Sequence, residues 1–242
     1  MKTTSIFIKS WRGDREWLAY CLRSLQKFAT GFKETVVAIA ELDRPHFEGF
    51  NFCGARVVWI DEPDDGRGYV RQQISKVNAD QYVDSDIIFY IDSDCFVTQP
   101  MKPEDFMPAG KPICLIRHWV DAGSAKAWKP IIQKFLTWEP AFEGMAALPF
   151  VIDCRVLPLL REYAQRTHGC PIEDYILSQP GNDFSEFNAM SAFSQRFTPY
   201  LYDWRIADPA TDGFPRVLTQ KWSWDKEGIH PYKEAYERIL AS

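Results

Sequence analysis

Three things are scarce in this sequence, and each scarcity closes off a class of protein. No apolar run approaches the ~20 residues that a membrane-spanning helix requires, and Met1 to Ile8 lacks the long apolar core of a signal peptide. No two of the six cysteines form a C-x-x-C pair, which argues against a zinc ribbon or a thioredoxin-like site. Cys114 lies between Ile113 and Leu115, and Cys154 follows Ile152-Asp153. Such apolar surroundings suit buried free thiols in a reducing compartment, so a cytoplasmic location is expected. Positive charge is not in excess either: the formal net charge is −5, with Lys and Arg scattered. That weighs against a strong non-specific nucleic-acid binder. Arg12, Arg15, Arg23 and Lys27 read as a solvated helix surface or as a small basic patch.

What the chain does contain is the material of an α/β protein. Its 242 residues suffice for one domain with a full core and are short for two. Aromatics reach 15%, nine of them Trp; these fill cores and also offer ring faces to sugars or bases. Ser5 to Ile8, Thr35 to Ile39 and Arg56 to Ile60 read as strands. Between the first two, Asp14 to Phe28 carries Trp17, Leu18, Cys21, Leu22, Leu25 and Phe28 at helical spacing, with Asp14 as the expected N-cap. Tyr69 to Asn78 reads as a second helix. Ile87 to Ile91 is continuously apolar, as in a strand buried on both faces of a parallel sheet. Beyond Pro100, a strand is expected over 112–117 and a helix over 124–137. Another strand follows over 147–152, then helices over 155–167, 173–178 and 184–196. Strands alternating with helices predict a doubly wound sheet, whose ligands bind beyond the carboxyl ends of the strands.

Asp92-Ser93-Asp94 falls at such an end. Two carboxylates one residue apart can chelate Mg²⁺ or Mn²⁺, which prefer oxygen and often share a substrate's phosphates. The plainer alternative is a solvated turn. On the preceding helix, Tyr69, Gln73 and Lys76 share one face, able to contact a base, ribose or phosphate or simply to face solvent. Asp183 and Glu186 fit a D-x-x-E capping box; alternatively one of them is a general base or grips an acceptor hydroxyl. In the segment Trp222-Ser223-Trp224-Asp225 to His230, the histidine is either a further metal ligand or the introduction to a last helix before Pro231. Of the other histidines, His118 follows a strand and could face the site, and His168, before Gly169 at an expected helix end, is accounted for by a capping or dipole role.

With these pieces placed, the chain resembles the GT-A glycosyltransferases, and more narrowly a group of small bacterial and phage glycosyltransferase-like proteins. The resemblance rests on four stretches: Ile6-Phe7-Ile8-Lys9-Ser10 with the following helix bearing Tyr20 and Ser24; Gly68 to Lys76, with its Gln72-Gln73 pair, leading to Ile91-Asp92-Ser93-Asp94; Met145 to Leu160 with Leu148-Pro149-Phe150; and Phe184-Ser185-Glu186-Phe187. It implies a Rossmann-like GT-A fold, a mostly parallel central sheet flanked by helices, over residues 1–242 as a single domain. Residues 1–99 would bind a nucleotide-diphosphate sugar and 100–242 an acceptor. It implies Mn²⁺ or Mg²⁺ on Asp94 directly, with Asp92 touching metal or ribose and Ser93 between them. Lys9 and Ser10 would lie near the nucleotide, and Tyr69, Gln72, Gln73 and Lys76 would flank the donor. Glu186, with Asp183 beside it, would approach the acceptor hydroxyl of a glycan, a lipid-linked sugar or a small molecule. The compartment implied is the bacterial cytoplasm, or the host's for a phage-encoded chain.

Other classes compete. A nucleotidyltransferase would also use paired carboxylates and a divalent ion, but no Gly-rich phosphate loop with a following Lys is present. A non-catalytic binding module with a degenerate transferase fold is opposed by the intact Asp92 and Asp94. A phage enzyme that glycosylates modified DNA bases is opposed mildly by the acidic net charge.

Overall fold

The computed structural model describes residues 2–181, 183–221, 223 and 227–242. In chain order its first elements are β1 (Thr4–Lys9), α1 (Arg15–Phe28), β2 (Glu34–Ala40), β3 (Arg56–Ile60), α2 (Gly68–Val77) and β4 (Ile87–Tyr90). Then come β5 (Cys95–Val97), β6 (Ile113–His118), α3 (Trp128–Leu136), β7 (Phe142–Glu143) and β8 (Phe150–Asp153). The last are α4 (Val156–His168), α5 (Ile172–Ser178), α6 (Glu186–Phe197), β9 (Asp203–Ile206), β10 (Leu218–Gln220) and α7 (Lys233–Ala241).

The central sheet is ordered β3-β2-β1-β4-β8. Its first four strands are parallel and β8 runs antiparallel to β4. From β1 the chain winds outward to β2 and β3, then returns to place β4 on the other side of β1. Strand order therefore reverses between β1 and β4, the kind of switch point at which open α/β sheets leave a crevice beyond their carboxyl ends.

Alternation along the strands feeds two cores. Ile6, Ile8, Val37, Ile39 and Phe89 pack with Leu18, Leu22 and Leu25 of α1. Phe7, Val36, Ala38, Ile88 and Tyr90 pack with Val70 and Val77 of α2 and with residues of α3 to α6 such as Phe135, Leu160, Ile176 and Phe187. Both faces are covered: every residue of β1 and β4 is buried, and β4 is apolar at every position rather than at alternate ones. The predicted α/β class, with a mostly parallel sheet flanked by helices, is the observed one.

The later chain builds smaller sheets. β6 pairs parallel with β9 and antiparallel with β7, and β10 pairs antiparallel with β5. Two expected boundaries move here. The helix predicted from Ser124 begins at Trp128, because Gly123–Ala127 winds as a 3-10 turn from Gly123 at φ 54°. The strand predicted from Ala147 begins at Phe150, after Pro149, which has no N–H for a ladder. All six cysteines are free, with Cys21, Cys95 and Cys114 buried. Among the described residues no helix is long and apolar enough to cross a membrane.

Candidate active site

The carboxyl ends of β1 and β4 deliver Lys9-Ser10 and Asp92-Ser93-Asp94 to the same edge of the sheet. A tight turn closes the second segment, the Cys95 N–H donating to the Asp92 carbonyl at 3.0 Å. α2 approaches this edge with its Gln73, Ser75 and Lys76 side buried. Lys76, only 3% exposed, bridges two carboxylates: its Nζ is 2.8 Å from Asp92 Oδ1 and 3.0 Å from Glu186 Oε1. It also lies over the Phe187 ring, 4.3 Å from the centroid. Burial opposes the ammonium charge, but Asp92 and Glu186 outweigh it and hold the Lys76 pKa above the ordinary lysine value.

Asp94 and Asp92 share a further partner. The Gln220 Nε2 donates to Asp94 Oδ1 at 3.1 Å and to Asp92 Oδ2 at 3.3 Å. The backbone N–H of Ser223 donates to Asp94 Oδ2 at 3.2 Å. Even so, the Asp94 carboxyl is pushed up to about 7, first by burial and then by the neighbouring charge of Asp92. Ser93 turns back to α1 and donates to Asp14 Oδ2 at 2.7 Å. Asp14 occupies the expected N-cap position but makes no side-chain cap bond. Burial raises its pKa too. Negative charge is thus in excess around Asp94, and a cation there would relieve it.

The donor set fits a hard divalent ion. Asp92 Oδ2 and Asp94 Oδ1 both face one amide group, and oxygen is the ligand Mg²⁺ and Mn²⁺ prefer. Among the described residues no group of three His, Cys, Asp or Glu side chains is arranged to hold a metal. Such an ion would need non-carboxylate oxygens or substrate phosphates to complete its shell. His230, expected as a candidate ligand, is exposed in the 3-10 turn His230–Tyr232 before α7, and the structure does not bring it into such a group with Asp92 and Asp94. Trp222, Trp224 and Asp225 of the same stretch lie outside the described residues.

The remaining candidates divide by burial. Gln73, 1% exposed, accepts the Glu186 backbone N–H on its Oε1 at 3.2 Å. Its Nε2, like the buried Oγ of Ser10, has no partner among the described residues. Buried polar groups left unpaired cost free energy, so both atoms are open to a further hydrogen bond. Lys9 pairs with Glu62 at 2.9 Å, and Ser75 donates to the other oxygen of Glu62 at 2.8 Å. Gln72 is half-buried; Tyr69 is 42% exposed, yet burial and then the charge of Glu186 raise the pKa of its hydroxyl. Asp183 is exposed, its N–H donating to the Pro180 carbonyl at 3.2 Å. The capping box expected with Glu186 does not form. α6 starts at Glu186 itself, whose carboxylate is taken by Lys76 and whose N–H is taken by Gln73.

Sequence reasoning missed Glu62, Gln220 and the true partner of Asp14. Glu62 could have been found, since it stands two residues beyond β3 at the same edge. Gln220 carries no comparable signal, since β10 is three residues long. The basic residues near α1 are occupied internally. Arg12 pairs with Asp43 and Asp64, and Arg23 with Glu237; Lys27 donates to the Ile239 and Leu240 carbonyls, and Arg15 lies over Phe50. His168 ends α4 before Gly169, as expected, and its Nε2 lies 2.7 Å from the Phe135 carbonyl.

A cavity of about 400 Å³ opens where β6 and β9 end, lined by Arg117, His118, Asp121, Ala147 and Arg216 among others. It adjoins the strand-entry loop of β8, whose Phe150 pairs with Tyr90, two residues before Asp92. A smaller cavity of about 140 Å³, near Leu22, Thr35 and Cys53, lies toward the amino end of β2, away from these groups.

A protein-family model matches residues 33–234 of the chain. The chain belongs to that family, a family of unknown function (DUF6492). No curated protein matches it in sequence. Among solved structures, it is similar to the galactosyltransferase LgtC, determined in complex with donor and acceptor sugar analogs. The TM-score is 0.57 at 11% identity, over 98% of this chain and 95% of that one. The fold is therefore that of a glycosyltransferase of known structure. A slighter likeness, with a TM-score of 0.30 at 14% identity, links 40% of this chain to 18% of S. aureus TarS.

Proposed function

We propose that this chain is a metal-dependent glycosyltransferase, moving a sugar from a nucleotide-diphosphate donor to an acceptor hydroxyl. One observation carries the reading: at the switch point of the sheet, Asp92 and Asp94 turn two oxygens toward one Gln220 amide, amid buried groups that lack partners. The likeness to the LgtC fold supports it. In this reading, residues 1–99 carry most of the donor site and residues 100–242 the acceptor site.

Asp92 and Asp94 hold Mn²⁺ or Mg²⁺, which when bound would neutralise the charge of a leaving diphosphate. Lys76 fixes Asp92 and Glu186 at one spacing through a buried two-armed ion pair. Ser10 Oγ and Gln73 Nε2 supply hydrogen bonds to the donor, with Lys9, Ser93 and Gln72 framing it and Tyr69 covering it from the first turn of α2. Such preset donors act without reorganisation as charge develops. Glu186 is the carboxylate for the acceptor hydroxyl, and Asp183 stands on the exposed approach. The Arg117–Arg216 cavity receives the acceptor, a glycan, a lipid-linked sugar or a small molecule. His230 stays outside the proposed ligand set.

Release of nucleoside diphosphate from a panel of nucleotide sugars, with Mn²⁺ or with chelator, tests this. One sugar nucleotide should be consumed only with the metal, and Asp94→Ala should lose that activity by at least ~100-fold, the scale of removing a key charge-stabilising group. Release of pyrophosphate from nucleoside triphosphates instead would favour nucleotidyl transfer.

A further inference from the structure

Each carboxylate of the Asp92-Ser93-Asp94 segment uses its two oxygens differently. The outer oxygens are pinned by the protein: Asp92 Oδ1 takes Lys76 at 2.8 Å and Asp94 Oδ2 takes the Ser223 N–H at 3.2 Å. Among the described residues, the inner oxygens, Asp92 Oδ2 and Asp94 Oδ1, share the Gln220 Nε2, at 3.3 and 3.1 Å. The amide group faces the position that a cation shared by both carboxylates would take.

Its backbone is fixed there. Gln220 pairs with Cys95, the residue after Asp94, in the β10–β5 ladder, and the next N–H, of Lys221, donates to the Asp94 carbonyl at 3.1 Å. The side chain is held less tightly. The terminal torsion of a glutamine is broad and nearly two-fold, and its amide offers a donor on one side and an oxygen acceptor on the other, of almost the same size. A half-turn exchanges a group that satisfies bare carboxylates for an oxygen that hard cations accept. Lysine or arginine at this position would keep the cation out. A third carboxylate would add to the repulsion already present around Asp94.

We infer that Gln220 is a third protein ligand of the divalent cation, its amide turning Nε2 away and Oε1 inward as the ion binds. This rests on the reading of Asp92 and Asp94 as a metal site. The chemistry it predicts belongs to the ion alone and needs no donor sugar.

The test is titration with Mn²⁺ alone, followed by the loss of the free-ion paramagnetic signal, together with melting in chelator and in Mn²⁺. Wild type should bind, and Asp94→Asn should abolish binding. Gln220→Leu should weaken binding by about tenfold or more, the usual scale for loss of a group that supports a metal. Gln220→Glu should bind more tightly than wild type; it should melt below wild type in chelator and above it in Mn²⁺. A packing role for Gln220 would not give that reversal. If Asp94→Asn abolishes binding while Gln220→Leu and Gln220→Glu both bind as wild type does, or both weaken alike, Gln220 is not a ligand and the metal site stands. If wild type does not bind, or Asp94→Asn binds as wild type does, the metal site itself is refuted and the inference falls with it.

Discussion

The interior of the central sheet and its carboxyl edge are equally dry and chemically opposite. Ile6, Phe7, Ile88 and Phe89 are fully buried among other apolar side chains. A few residues further along the same strands and helices, Lys9, Gln73, Lys76, Asp94 and Glu186 are buried at 1–7% exposure and carry charge or amide groups. Burying apolar surface stabilises the fold. Burying charge does so weakly at best, because desolvation cancels most of the attraction. The interior therefore stabilises the fold, and the edge does so little, which fits the donor site proposed there.

Substitutions can break that contrast. Phe89→Ala in the interior should cost ~3–5 kcal/mol by cavity formation, seen as a lower denaturant midpoint, with no change in how the protein responds to Mn²⁺. Lys76→Met at the edge should cost up to about as much, ~3–5 kcal/mol, for another reason: it leaves the buried Glu186 and the partly buried Asp92 without their cation. Adding Glu186→Gln to Lys76→Met should then recover part of the loss. No second-site neutralisation should rescue Phe89→Ala. Strict additivity of Lys76→Met and Glu186→Gln would contradict the coupling.

The next effect is smaller and depends on pH. Asp94 is held at about 7 in the folded chain, against an ordinary value of 3.8. A raised carboxyl favours the folded state when protonated. That contribution is full below the ordinary value and is lost as pH rises through about 7. In chelator, the melting temperature should therefore fall between pH 5 and pH 8, by ~2 °C or more for a chain of this size. Asp94→Asn should flatten the slope. Smallest of all, the exposed Asp183→Asn should stay within ~0.5 kcal/mol of wild type in stability.

The interior was legible in the sequence because its signal is repeated. Ile87 to Tyr90 and the α1 stripe of Leu18, Leu22 and Leu25 are read several residues at a time, and their boundaries held to within two residues. The edge was legible only where one short segment carries several chemical groups, as in Asp92-Ser93-Asp94 and Gln72 to Lys76. Asp14 was misread because the same side chain suits a helix N-cap and a bond to Ser93, and local sequence does not choose between them. Glu186 was offered a capping partner three residues away. Its actual partner, Lys76, is 110 positions distant in sequence. Gln220 was invisible for the same reason: three residues of β10 set it opposite Cys95, and pairing over that separation leaves no periodic trace.

The central claim is that the buried charged edge is a donor site completed by a metal. The most direct measurement is melting of wild type and Asp94→Ala with a panel of nucleoside diphosphates, each with Mn²⁺ and with chelator. A ligand at ~100 times its dissociation constant adds about 2.7 kcal/mol to the folded state. Stabilisation of that size is expected from one nucleotide, only with Mn²⁺ and only in wild type. Equal melting with every nucleotide in both metal conditions would contradict it.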